Sequence, residues 1–419
     1  MHVLHKSKYM KRIVFAFVLL IATIAYGQDD KGIHFVHKTS WQDVQAVAKA
    51  ENKFIFMDAF TTWCGPCKMM ARNIFPLPEV GDFFNANYIS VKVQLDTTTK
   101  DNDEVKTWYA DAHAIAKDYK VNVYPTYLFF SPDGKLVHRA VGSSEAAEFI
   151  TKGKDALDPN KQYFTLAARY DAGERNPEFL KSLSEAALNA YDRDAMPVYA
   201  NAYLATQKDL STEENIRFID AYTQTSNDAG FEIITKNTAA FNKIMGAGKA
   251  ENKIKNIVLR EEIYPYLESE TSPDWNKLQD DIAAKYPGMA NEIVLNGKII
   301  YYKSRGDWPE FSAAVSAYVK KYGSKTSAEE LNEYAWSIFE NCSDIACIDQ
   351  ALSWSKKSVD LTNNPMFIDT YANLLYKTGK KDLAIQWEQK ALNIVKKNKE
   401  DFTGYEETLK KMKKGEKTW

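Results

Sequence analysis

The sequence predicts two folds in series: a mixed-sheet α/β domain over residues 28–155, then an all-helical domain from residue 161 to residue 419. Two observations carry this reading. Between Gln28 and Asp155 short apolar runs alternate with segments of helical periodicity, and the last two runs are joined by a tight turn. Beyond Asp158-Pro159-Asn160 the strand pattern stops, and helical segments follow one another with breaks at Gly173, Asn227-Asp228, Pro287-Gly288 and Gly306-Asp307.

Residues 1–27 read as an address. Lys6, Lys8, Lys11 and Arg12 precede the apolar run Ile13–Ala25, and Ala25-Tyr26-Gly27 supplies small residues for cleavage before Gln28. This is the pattern of a secretory signal peptide. The apolar run holds 13 residues, whereas a spanning helix needs about 20, so a retained anchor is not expected. No cysteine stands at the cleavage point, so neither is a lipid anchor. Met10 is an alternative start, because a basic and an apolar region already follow it.

The elements of the first domain follow in order. Thr39-Ser40 can cap a helix that carries Trp41, Val44 and Val47 on one face. Phe54-Ile55-Phe56-Met57 is apolar without alternation, as in a central strand buried on both faces. Tyr88–Leu95 reads as a second strand, Val105–Tyr119 as a helix and Thr126–Phe130 as a third strand. Ser131-Pro132-Asp133-Gly134 forms a turn whose left-handed position falls to Gly134, leading into Leu136–Val141 as a hairpin partner. Glu145–Lys154 closes the unit as a helix.

Composition narrows the function classes. At 45% hydrophobic and 13% aromatic residues, the chain can build cores and is too apolar for wholesale disorder. A formal charge of −2 argues against a nucleic-acid binder working through a basic face. Removing the four basic residues of the leader leaves 50 basic against 56 acidic, a net −6. Four cysteines are too few for a disulfide-dense scaffold.

Two of those cysteines carry chemistry. Trp63-Cys64-Gly65-Pro66-Cys67-Lys68 follows a buried strand and opens a helix. At a helix N-terminus, unpaired N–H groups and the positive end of the dipole favour the Cys64 thiolate. Lowering a thiol pKa from about 8.5 towards about 7 raises the thiolate fraction at neutral pH from a few per cent to roughly half. Two intervening residues place Cys67 one turn on, within reach of an S–S bond, so it can resolve a mixed disulfide at Cys64. A zinc site would need two further ligands. His34 and His37, three apart on a strand, would point to opposite faces. A structural disulfide would require neither Trp63 nor the strand-to-helix position.

On these residues the first domain resembles the thioredoxin fold, and WCGPCK is that family's active-site motif. The resemblance implies a redox-active Cys64–Cys67 disulfide, no cofactor and no metal. It implies that Asp58, six residues before Cys64, exchanges protons with Cys67, and that Lys92 in the next strand is its partner. A lone aspartate in a doubly buried strand is costly unless it is paired or functional, and burial should raise its pKa. The resemblance also makes Tyr124-Pro125-Thr126 a cis-proline loop that, with Trp63, Gly65 and Pro66, docks a substrate peptide. Two departures look more like the envelope branch of the family. Arg72 replaces the helix-kinking proline, ahead of an interruption at Ile74–Val80. About 14 extra residues separate Asp96 from Pro125.

Near the C-terminus, Ala372, Tyr376, Gly379, Ala384 and Lys390-Ala391-Leu392 stand at tetratricopeptide spacings, and Ala335, Ala351 and Pro365 form a looser copy 37 residues earlier, against a period of about 34. Residues 328–397 thus resemble a tetratricopeptide pair, which implies a concave surface for extended partners. Cys342 and Cys347, in the enlarged turn, are expected to form a small structural disulfide whose short loop contributes about 2 kcal/mol or less. A relay to Cys64–Cys67 is the alternative, but no charge or aromatic pattern in the sequence beside Cys342 supports it.

The expected protein is an exported thiol–disulfide oxidoreductase of the bacterial periplasm, or a secreted one. It would reduce disulfide-bearing client proteins and draw electrons from a membrane thiol donor. It would bind no nucleic acid and, once its leader is cleaved, would not be embedded in the membrane. An adaptor or chaperone acting through its helices is the alternative of another class; an oxidase or isomerase would run the same chemistry in another direction.

Overall fold

A computed structural model describes residues 31–37 and 39–419; the expected leader lies outside the described residues. The chain divides into two compact units. The first runs to Arg175 and includes Glu185–Asp192; the second comprises Asn176–Ser184 and Arg193–Trp419.

The first unit is built on a four-stranded mixed sheet in the order β2-β1-β3-β4. Helix α1 (Trp41–Glu51) opens at Ser40, which forms a capping box with Asp43. Its buried face is Val44 and Ala48, while Val47 is 41% exposed. The apolar stripe runs Trp41, Val44, Ala48, stepping by three and then by four, so the expected place of Val47 on it is corrected. Strand β1 (Phe54–Phe60) is central, parallel to β2 (Tyr88–Gln94) and antiparallel to β3 (Thr126–Phe130). Strand β4 (Leu136–Val141) pairs with β3 across a turn in which Gly134 has φ +82°. This is the expected sheet, with side chains alternating between two cores. Ile55, Met57 and Ala59 pack towards Val44, Ala112 and Ile115 on one face. Phe56, Tyr127 and Phe129 pack towards Met70, Phe84 and Phe149 on the other.

Helix α2 (Gly65–Met69) carries the cysteine motif and runs into a π turn at Met70–Ile74, where Phe75 N–H reaches back five residues to Met70 O at 3.0 Å. The chain then breaks and restarts as α3 (Pro78–Asn87). Sequence reading expected an interruption here without proline at position 72. A π turn inserts one residue into the hydrogen-bond ladder and supplies the irregularity instead. The single helix expected over Val105–Tyr119 is two, α4 (Asp103–Thr107) and α5 (Tyr109–Asp118). Helix α6 (Ala146–Leu157) closes the sheet. The unit continues past residue 155, because helix α7 (Tyr163–Asp171) is tied to β4: Tyr163 N–H donates to His138 Nδ1 at 3.1 Å. Burial holds His138 near pKa 4, hence neutral and able to accept that bond.

In the second unit every segment is helical, and the breaks at Asn227-Asp228, Pro287-Gly288 and Gly306-Asp307 fall between helices. The last four long helices, Ala328–Asn341, Ile345–Leu361, Pro365–Lys377 and Lys381–Asn398, pack consecutively. Ala335, Ala351, Ala372, Ala384 and Ala391 are all completely buried, where small side chains let neighbouring helices approach. Between the last two of these helices lies a carboxyl pair. Burial pushes Asp369 up to about 6 and Glu388, with Asp369 beside it, up to about 10. Asn373 Nδ2 donates to Asp369 Oδ1 at 3.1 Å, while both Glu388 oxygens lack a partner at hydrogen-bonding geometry. Among the described residues no helix is long and apolar enough to cross a membrane.

Because the folded pKa of Glu388 lies above its unfolded value near 4.5, its stabilising contribution is complete at acid pH and is lost as pH rises towards 10. Glu388→Gln is therefore expected to raise stability by several kcal/mol at pH 8.5 and to change it little at pH 4.5, as read by thermal melts across that range. A pH-independent difference between the two proteins would contradict the raised Glu388 pKa.

Candidate active site

The site is assembled at the C-terminal end of β1. The strand delivers the chain to Thr61-Thr62-Trp63, and α2 starts at once, so Cys64 is the N-cap residue. Cys64 and Cys67 form a disulfide with Cα atoms 5.3 Å apart, and Cys67 N–H donates to Cys64 Sγ at 3.0 Å. The first sulfur thus occupies the place a capping oxygen would take, where a negative charge meets the helix N-terminus. Pro66, in the first turn, has no N–H to leave unpaired.

Solvent reaches little of the pair: Cys64 is 3% exposed and Cys67 5%, whereas Trp63 beside them is 68% exposed. Gly65 and Pro66 are exposed too, and a Cβ added to Gly65 would meet nothing within 4 Å. The Trp63 ring stands edge-on to Tyr124, 5.6 Å between centroids and at 90°. Tyr124-Pro125 is a cis peptide, and the Pro125 carbonyl accepts from Gly142 N–H at 3.0 Å. Thr126 is buried, with its hydroxyl donating to Val123 O at 2.7 Å. The exposed part of the rim is therefore Trp63, Gly65 and Pro66, with Tyr124 half-buried behind them.

Beneath it lies the expected carboxylate. Asp58 is 2% exposed and shares the sheet face of Phe56, against which the residues of the π turn pack. Burial raises its pKa to about 6 against the opposing pull of Lys92. The two are register partners across β1 and β2, and Lys92 Nζ lies 3.8 Å from Asp58 Oδ2, an ion-pair distance too long for a hydrogen bond. Asp58 Oδ1 has no partner. The ammonium group sits among three rings, 5.4 Å from Phe35, 5.1 Å from Phe60 and 5.5 Å from Phe75. Tyr127, the register partner of Asp58 on β3, has an unpartnered hydroxyl whose ionisation is suppressed by burial and by Asp58.

Asp96, which no motif marks, belongs to the site as well. Its Oδ1 accepts from Thr62 N–H at 2.9 Å and its Oδ2 from the Thr62 hydroxyl, so it fixes the turn before Trp63. Asp96 also adds to the burial that suppresses ionisation of Tyr124. The loop beyond it is ordered by Asp101, which accepts from Thr98 N–H, the Thr98 and Tyr109 hydroxyls and Gln94 Nε2 at 2.7–3.0 Å. An aspartate ending a strand was visible in the sequence; that it reached back to Thr62 was not. Among the described residues, no cluster of three or more His, Cys, Asp or Glu side chains could hold a metal ion.

Residues 41–157 match the family described as a thioredoxin-like domain. This stretch is a thioredoxin-like domain. Over 107 residues the chain is 36% identical to Thioredoxin-2 of Pyricularia oryzae, covering 25% of this chain and 50% of that protein. It is 32% identical over 114 residues to the chloroplastic thioredoxin-like protein CITRX2 of Nicotiana benthamiana, covering 27% and 52%. A solution structure from Bacteroides thetaiotaomicron, described as a candidate disulphide-isomerase, is 34% identical and covers 31% of this chain and 97% of that one, with a TM-score of 0.25. The chain spans about half the length of the curated relatives it matches.

The raised Asp58 pKa makes a stability prediction independent of turnover. Since its folded value near 6 exceeds the unfolded 3.8, the stabilising contribution is complete below pH 3.8 and is lost as pH rises through 6. At pH 8 the ionised group costs about 3 kcal/mol. Oxidised Asp58→Asn is expected to melt well above the parent at pH 8 and to converge with it below pH 4. Coincident melts at pH 8 would mean that the carboxylate is solvated.

Proposed function

We propose that the chain is an exported thiol–disulfide oxidoreductase that reduces disulfides of client proteins in the bacterial envelope. The observation that carries the proposal is the Cys64–Cys67 disulfide capping a helix, above a sheet face that holds the buried Asp58 with the half-buried Lys92 opposite it. A structural staple would have no use for a titratable group beneath it. Export rests on the sequence of residues 1–27.

In the reduced protein, Cys64 thiolate attacks one sulfur of the client disulfide and expels the other as a thiolate. Asp58, with a pKa near 6, takes the proton of Cys67. Cys67 then attacks Cys64 Sγ, releasing the reduced client and restoring the disulfide. Because the sulfurs are barely exposed, a client must first settle on Trp63, Gly65 and Pro66. With the Pro125 carbonyl engaged by Gly142, the backbone of Tyr124 is the part of the cis-proline loop left to meet it. Each turnover consumes two electrons, which in this compartment come from a membrane thiol donor. The tetratricopeptide-like helices at 328–397 supply a surface for holding extended clients.

Cys67→Ala, produced in its host and acid-quenched, is expected to accumulate discrete, reductant-sensitive adducts on Cys64, with a membrane thiol carrier among them. If Cys64 reacts with an alkylating agent yet no adduct forms, the turnover model fails and the adaptor reading takes its place. On a defined protein disulfide in vitro, Asp58→Asn should lower the rate at pH 7 by about ten- to a hundredfold and abolish the pH-rate inflection near 6.

A further inference from the structure

The enlarged turn between helices Ala328–Asn341 and Ile345–Leu361 holds the other two cysteines as free thiols. Cys342 caps the first helix, its N–H donating to Ile338 O at 2.9 Å. Cys347 is the third residue of the second, its N–H donating to Asp344 Oδ1 at 3.3 Å. The two side chains belong to one buried cluster and interact electrostatically, and Cys347 Sγ faces Trp308 O at 3.9 Å. They are 6% and 5% exposed, beneath the exposed turn residues Ser343 to Ala346.

Their surroundings differ. Lys377, from the helix Pro365–Lys377, brings its ammonium close enough to Cys342 to interact electrostatically with it. That ammonium is held by Phe339 O at 2.5 Å and by the rings of Phe339 and Trp419 at 5.2 and 5.3 Å. Cys347 has Asp344 at its helix start, and burial, Cys342 and Asp344 together push its thiol up to about 11. One thiol sits by a cation, the other by an anion. The sequence next to Cys342 hides this, because Lys377 and Trp419 come from elsewhere in the chain.

We propose that Cys342 and Cys347 form a second, reversible dithiol–disulfide couple, in which Cys342 attacks a low-molecular-weight aliphatic disulfide and Cys347 closes the ring. The Cys342 thiolate displaces one thiolate from the small disulfide and forms a mixed disulfide. Cys347 loses its proton to that leaving thiolate and attacks Cys342 Sγ, expelling the second thiolate. The pair gives up two electrons, and the small disulfide becomes two thiols. A small linear disulfide would displace less of the exposed turn at 343–346 that lies over the pair than a protein disulfide would.

The test uses the full mature chain with Cys64→Ser and Cys67→Ser, so that only this pair reports, equilibrated in graded mixtures of reduced and oxidised glutathione and read by alkylation and intact mass. The expected result is one two-electron transition that reverses with added thiol. In that background Cys347→Ser should accumulate a glutathione adduct on Cys342, at least about tenfold faster at pH 7.5 than Cys342→Ser accumulates one on Cys347. Lys377→Met should remove most of that difference. A pair that stays reduced throughout, a disulfide that resists excess thiol, or preferential adduct formation on Cys347 would each overturn the proposal. Peptide mapping of adducts in the parent double variant gives the same answer if a single serine substitution prevents folding.

Discussion

The carboxyl group of Asp58 stands on a strand that is buried on both faces, and much of the first unit is arranged around keeping it there. The central strand must carry it, because the same strand delivers the chain to Cys64. Lys92, half-buried on the neighbouring strand, opposes it, and its ammonium group has surroundings of its own. They come from three places: Phe35 in the N-terminal segment, Phe60 two residues beyond Asp58, and Phe75 at the end of the π turn. The N-terminal segment is held by a bridge between Phe35 and Ser90 and by Ile33 N–H bonding Phe75 O at 2.9 Å. Segments far apart in sequence thus meet around one cation, whose attraction for Asp58 is outweighed by desolvation.

The cysteine motif depends on this arrangement and adds its own local order. Asp96 fixes the turn that aims Trp63, and the Asp101 network extends that order through the inserted loop. The departures from the thioredoxin pattern therefore sit on two sides of the same helix start. One, the π turn, changes how the active-site helix leaves the sheet; the other builds up the strand end beside Thr62. Both alter the surroundings of the active-site helix without changing Cys64 or Cys67.

Much of this was legible in the sequence, for identifiable reasons. Strand positions followed from apolar runs, and β3 and β4 came out with their observed ends because Pro125 and the Ser131–Gly134 turn punctuate them. Cys64, Cys67 and Asp58 were legible because their spacing is local to one strand–turn–helix. What escaped reading depends on register and on long-range approach: the aromatic cage around Lys92, the reach of Asp96 to Thr62, and Lys377 beside Cys342. Val47 was misplaced because steps of three and of four fit one helical turn equally well. The break at Trp108 was missed because no proline or glycine marks it.

Burial of an acid does not by itself identify a working group, and this chain contains the control. Glu388 is as deeply buried as Asp58, and its pKa is pushed further from the ordinary range. Yet its neighbour is a second carboxyl, so the stable arrangement keeps a proton on the pair. Asp58 differs in having a cation beside it, which leaves it poised near pH 6. A group that must take a proton from a thiol and surrender it again needs that intermediate value. Glu388 would hold its proton throughout; Asp58 can give it up, and it stands on the strand that leads into the helix capped by the Cys64–Cys67 disulfide.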